Sequence, residues 1–75
     1  MFEVSNNQLV AQFNFNDFSQ AFAFVARVSL LAEQHNHHPK LVWEYNRVAI
    51  SLCTHDAGNT ITEKDYKLAE AIEKL

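Results

Sequence analysis

Five side chains of this sequence can carry acid–base chemistry: Glu33, His37, His38, His55 and Asp65. Three of the chain's four histidines fall in the stretch Glu33-Gln34-His35-Asn36-His37-His38-Pro39. Histidine titrates nearest neutrality, so such a cluster can take up and release protons at cellular pH. Two chemistries fit. Neutral imidazoles beside a carboxylate suit zinc or iron. However, His35, His37, His38 and Glu33 need one irregular turn to converge, and no pair among them has a familiar metal spacing, so no metal is expected. The other chemistry is general acid–base catalysis by metal-free imidazoles. It suits an elimination in which a leaving hydroxyl needs a proton while a base removes one elsewhere. Each residue also has a plainer reading. Glu33 can be a solvated helix carboxylate, and His37 or His38 can bond the last carbonyls of a helix. His55 can be an ordinary loop residue, and Asp65 only the acidic half of a capping box. The combination is what points to a site.

The elements that must position these residues alternate simply. Phe2-Glu3-Val4 is a short strand candidate, and Ser5-Asn6-Asn7-Gln8 is a turn, because Asn tolerates left-handed backbone. Leu9 to Phe15 alternates, with Leu9, Ala11, Phe13 and Phe15 on one face, as in a half-buried strand. Asn16 reads as a helix N-cap with Asp17 in the first turn. In the helix that follows, Phe18, Phe22, Val25, Ser29 and Ala32 form one stripe, and Ala21, Phe24, Val28 and Leu31 form a second beside it. That arc is wider than one sheet face needs, so the helix is expected to cover a sheet on one side and a partner subunit on the other. Pro39 ends the helix at or before the His-His pair.

Leu41 to Tyr45 alternates with Leu41, Trp43 and Tyr45 together, and Asn46-Arg47 reads as a hairpin loop. Trp43 reads as core or pocket wall. Val48 to Cys53 alternates again, and Thr54 to Asn59 is a polar loop. Thr62-Glu63-Lys64-Asp65 opens a last helix as a capping box, with Leu68, Ile72 and Leu75 as its stripe. The order β-β-α-β-β-α implies an α+β fold: two layers, a four-stranded antiparallel sheet with both helices on one face.

Composition narrows the function classes. Seventy-five residues make a single domain, residues 1–75. One cysteine, Cys53, allows no internal disulfide and reads as a small buried residue in a reducing compartment. A chain this short usually gains support from a metal or a partner subunit. The net charge of -3 and scattered Lys/Arg argue against direct nucleic-acid binding. No signal peptide is recognisable and the longest apolar run is too short for a bilayer. A cytoplasmic protein without a membrane role is expected.

Read as a whole, Glu33-x-x-x-His37-His38-Pro39, then Tyr45, His55 and Asp65 at their spacings, resembles the signature of the pterin-4a-carbinolamine dehydratases. Phe13-Asn14-Phe15-Asn16-Asp17-Phe18, Ala26-Arg27-Val28, Tyr45-Asn46-Arg47-Val48 and Thr54-His55-Asp56 also resemble that family. The resemblance runs from about Phe2 to Leu75. It implies the α+β fold read above, a pterin bound as substrate at one edge, and no cofactor or metal. It implies that His37, His38 and His55 contact the pterin and handle protons. The reaction would convert 4a-hydroxytetrahydropterin, such as the tetrahydrobiopterin derivative, to quinonoid dihydropterin and water. That step recycles the pterin for aromatic amino-acid hydroxylases. His37 and His38 are expected at the 4a-hydroxyl, with Pro39, Thr54, Asp56 and Ala57 beside the substrate. Glu33 and Asp65 are expected to fix imidazole tautomers.

Members of that family usually begin with a helix and a tryptophan before the first strand. This sequence begins at the strand, which bears on catalytic efficiency and assembly more than on the fold. A homodimer or homotetramer through the Phe18–Leu31 helix and a sheet edge is expected. The competing function is a non-catalytic interaction module, a dimerisation cofactor or coactivator using the same helix face. Such a module has no need of His37, His38 and His55 together.

Overall fold

The computed structural model describes all residues from Met1 to Leu75. Its elements are β1 (Glu3–Ser5), β2 (Gln8–Asn14), α1 (Phe18–His35), β3 (Lys40–Glu44), β4 (Arg47–Leu52), a 3-10 turn (His55–Ala57) and α2 (Glu63–Glu73). The strands form one antiparallel sheet in the order β1-β2-β4-β3. The α+β, β-β-α-β-β-α arrangement expected from the sequence is the one observed.

Period-two patterning places Leu9, Ala11 and Phe13 opposite Leu52, Ile50 and Val48, so one sheet face is apolar. Both helices cover that face. Ala21, Phe24 and Val28 of α1 join Leu68, Ala69 and Ile72 of α2 in one core with Leu9, Val48, Ile50 and Leu52. The other face, with Val10, Gln12, Ala49 and Ser51, carries no helix.

Several boundaries differ from the sequence reading. The N-cap of α1 is Asp17, not Asn16: its backbone is extended and its Oδ1 accepts the Gln20 N–H at 2.9 Å. Asn16 instead donates its own N–H to the Gln20 side chain at 3.1 Å. Gln20 thus serves two residues, its N–H capped by Asp17 and its side chain taking the N–H of the residue before the cap, one position off the usual capping box. Of the two stripes on α1, the second faces the sheet together with Ala32, while Phe18, Phe22 and Ser29 are exposed.

The β3–β4 turn is Tyr45-Asn46 rather than Asn46-Arg47. Tyr45 takes the left-handed conformation at φ 51°, so its side chain leaves the Leu41–Trp43 face for solvent. Asn46 is held elsewhere: its Nδ2 donates to the Phe15 carbonyl at 2.8 Å, and its carbonyl accepts from the Phe15 N–H at 2.9 Å. The Trp43 indole N–H donates to the Tyr45 carbonyl at 2.9 Å and clamps the turn. Leu75 lies past the end of α2 and is exposed, so the α2 stripe ends at Ile72.

Candidate active site

Helix α1 stops where the chemistry begins. Asn36 adopts the left-handed conformation at φ 51°, and the His37 N–H reaches back to the Ala32 carbonyl at 3.0 Å. This is a Schellman-type ending, and it turns the chain sharply. His37 and His38 therefore leave the helix axis, and Pro39 leads into β3. His35 stays on the last turn, exposed.

The second contribution comes from the end of β4. Thr54 and Thr60 bridge, with the Thr54 N–H donating to the Thr60 carbonyl at 2.8 Å. The loop between them is a 3-10 turn closed by Gly58 at φ 85° and Asn59 at φ 59°. His55 sits at its start, and its Nδ1 lies 2.6 Å from the Asn59 Oδ1. An amide oxygen only accepts, so His55 carries its proton on Nδ1 and leaves Nε2 as the free acceptor.

The third contribution is Asp65, fully buried at the third position of α2. Its Oδ2 accepts the Thr62 N–H at 2.9 Å, completing the capping box, and the Thr54 hydroxyl at 2.8 Å. Its Oδ1 lies 2.5 Å from the His37 Nε2. Burial pushes this carboxyl up, but the bonds from His37, Thr62 and Thr54 together hold it below its ordinary value. Asp65 is thus ionised and accepts only. Thr54 gives its one hydroxyl proton to Asp65, so Thr62, whose Oγ1 is 2.7 Å away, donates to Thr54. His37 donates from Nε2, and its Nδ1 is left as the acceptor. No buried side-chain nitrogen or oxygen lacks a partner, so the unpaired Nδ1 is not buried, and His37 lines the cleft.

Asn36, His37 and His38 line one wall of a cleft of about 220 Å³, and Thr54, His55, Asp56 and Lys64 line the other. No apolar residue lines it. Of the residues picked out from sequence, Pro39 and Ala57 do not line it, and Asp65 acts from behind His37. Glu33 reaches the His38 Nε2 at 3.4 Å between two exposed side chains, a contact worth little energetically. Trp43 lies away from the cleft, stacked on Phe18 at 4.6 Å. Asn36, Asn59 and Lys64 were not anticipated. The signals were present: an asparagine where a helix must end, and a lysine next to Asp65. A larger groove of about 500 Å³ between Phe2 and α2 contains no histidine.

Residues 2–75 match the sequence profile of the family described as pterin 4 alpha carbinolamine dehydratase. The chain belongs to this family. A Chloroflexus aggregans protein provisionally named pterin-4-alpha-carbinolamine dehydratase is 49% identical over 95% of this chain and 74% of its own length. One from Nitrobacter hamburgensis, named the same way, is 46% identical over 97% of this chain and 72% of its own. Among solved structures, one from Brucella melitensis described as a transcriptional coactivator/pterin dehydratase superposes with a TM-score of 0.91. It is 37% identical, over 97% of this chain and 79% of that one. A pterin dehydratase-like protein identified as a RuBisCO assembly factor in the alpha-carboxysome is 21% identical with a TM-score of 0.78, a likeness of fold alone. Within the pterin dehydratase family, then, this chain presents three imidazoles on one polar cleft. Two of the three have a ring nitrogen held by a close oxygen, Asp65 for His37 and Asn59 for His55.

Proposed function

We propose that the protein is a 4a-hydroxytetrahydropterin dehydratase working by metal-free histidine acid–base catalysis. The observation that carries this reading is the buried Asp65 carboxylate bound to His37 on the wall of a cleft shared with His38 and His55. The 4a-hydroxyl leaves as water only when protonated, and the developing iminium must lose a ring N–H proton. His37, protonated on Nδ1, is an imidazolium whose charge Asp65 balances through Nε2, so it can give that proton to the leaving hydroxyl. His38 stands beside it on the same wall. His55, with its Nδ1–H committed to Asn59, offers Nε2 as acceptor for the ring proton. Hydrogen ion balance closes, since one proton is given and one taken, and no cofactor enters. Pro39 leads from His38 into β3 without lining the cleft, and Thr54 and Asp56 border the ring. The product, a quinonoid dihydropterin, would return to the reduced pool that serves aromatic hydroxylases.

The test is the dehydration rate of freshly generated 4a-hydroxytetrahydropterin, followed by ultraviolet absorbance. Acceleration by the protein, lost in the His37→Ala, His38→Ala variant, is the expected result. Folded protein without acceleration would overturn the enzyme reading. It would favour the interaction module, for which exposed Phe18, Phe22 and Leu30 on α1 are the relevant surface. In either case we expect those residues to pair copies of this chain into a dimer or tetramer in the cytoplasm. No helix is long and apolar enough to cross a membrane.

A further inference from the structure

The cleft does not end at His38 and His55. The same two histidines form part of the wall of a second hollow, about 100 Å³, whose remaining lining is Gln8, Lys40, Ser51 and Cys53. These residues come from the open face of the sheet. Lys40 and Ser51 are direct cross-strand partners, and Gln8 and Cys53 lie at the same ends of β2 and β4. His38 and His55 therefore stand between two lobes, one bounded by α1 and α2 and the other on the uncovered sheet.

The lobes differ in charge. The larger contains the Asp56 carboxylate as well as Lys64. The smaller contains a lysine, an amide, a hydroxyl and a thiol but no carboxylate. Lys40 is exposed and has no acidic partner, as is also true of Arg27, Lys64 and Lys74, and no carboxylate shares its lobe. In a chain of net charge -3, this leaves an unneutralised cation with two hydrogen-bond donors beside it.

We infer that the smaller lobe receives the C6 substituent of the pterin, and that Lys40 makes the site prefer a substituent ending in an anionic group such as a phosphate. This rests on the pterin reading above and adds the substrate class to it. A pterin ring in the larger lobe places its reacting edge at the histidines. A substituent passing between His38 and His55 then meets Lys40, Ser51 and Gln8. Together the lobes reach the lower end of the roughly 300–1,000 Å³ typical of small-molecule sites. An ammonium facing a phosphate gives a charge-assisted bond. A neutral substituent gains only the weaker bonds to Ser51 and Gln8.

The experiment compares 6-hydroxymethylpterin with its phosphate monoester, both read by their own fluorescence on titration with the intact protein. Wild type should bind the phosphate ester about tenfold more tightly at low salt, a difference that shrinks as salt is raised. Lys40→Gln should abolish that preference, and Lys64→Gln should retain it. Equal affinities in wild type, or a preference that survives Lys40→Gln, would overturn the inference. So would a preference that disappears with Lys64→Gln, since the substituent would then lie in the larger lobe. If 4a-hydroxytetrahydropterin is dehydrated but the phosphate preference is absent, only this inference fails. If neither pterin binds and no dehydration is seen, the pterin reading fails with it.

Discussion

His37 and Asp65, 28 residues apart, meet at 2.5 Å through a ring nitrogen and a fully buried carboxylate oxygen. The other carboxylate oxygen caps α2 and takes the Thr54 hydroxyl. One side chain thus starts a helix, anchors the end of β4 and fixes the tautomer of a histidine on the cleft.

Removing that carboxylate should cost both stability and turnover. Asp65→Ala leaves a threonine hydroxyl, a backbone N–H and an imidazole N–H without their acceptor, a loss of about 3 kcal/mol. For a domain of this size that is roughly a 12–24 °C fall in Tm, read by circular dichroism. Asp65→Asn keeps one oxygen acceptor and should lose less stability while still slowing turnover. A Tm within about 4 °C of wild type for the alanine variant would contradict the network.

Acid sensitivity should follow from the same group. The folded carboxyl lies below its ordinary value of 3.8, so the unfolded chain takes up its proton first as pH falls. Asp65 therefore contributes its full share of stability above that value and loses it as pH drops through the lower folded value. Tm should fall more steeply between about pH 5 and pH 3 in wild type than in Asp65→Asn. Parallel curves would show that the acid loss arises elsewhere.

The histidines should divide by role. His37→Ala should lower kcat by about a hundredfold or more. His38 is exposed, so His38→Ala should reduce turnover without moving Tm. Asn59→Ala frees the His55 ring and should lower kcat less than His55→Ala does. Turnover unchanged in the His37, His38 double variant would remove the catalytic assignment.

Tyr45 occupies a left-handed position that side chains other than glycine and asparagine seldom adopt. Its ring is exposed, and the carbonyl that holds Trp43 belongs to the backbone. Tyr45→Asn should raise stability by about 0.5–1 kcal/mol, seen as a Tm increase of a few degrees. A decrease would mean that the phenol ring contributes more than its exposure suggests.

The α1 surface should decide assembly. Phe18 stacks on Trp43 yet remains about half exposed, and Phe22 and Leu30 are more so. Sedimentation at micromolar concentration should give a dimer or tetramer, and Phe22→Lys should shift it toward monomer. A wild-type monomer would rule out the two-sided use of this helix.

Much of the fold was legible in local chemistry. Alternation in Leu9–Phe15 and Val48–Cys53, the helical stripes of α1 and the Thr62–Asp65 box each depend on neighbours a few residues away, and sequence displays such spacings directly. The misplaced turn at Tyr45-Asn46 shows the limit. Asn46 is the better left-handed residue by local preference, but its side chain and backbone are claimed by Phe15, 31 residues distant. The N-cap shift from Asn16 to Asp17 is local by contrast: Gln20, three and four residues on, bonds both residues.

Sequence by itself determined the element order, the identity of the clustered imidazoles and the capping role of Asp65, because all of these are set by residue type at short range. Tertiary structure alone decided which imidazole Asp65 holds, that His38 and His55 share one cleft, and that Lys64 and Lys40 flank the two lobes. Those relations arise where the left-handed end of α1, the end of β4 and the start of α2 converge. The packing of both helices on one sheet face fixes that convergence, and no local spacing encodes it.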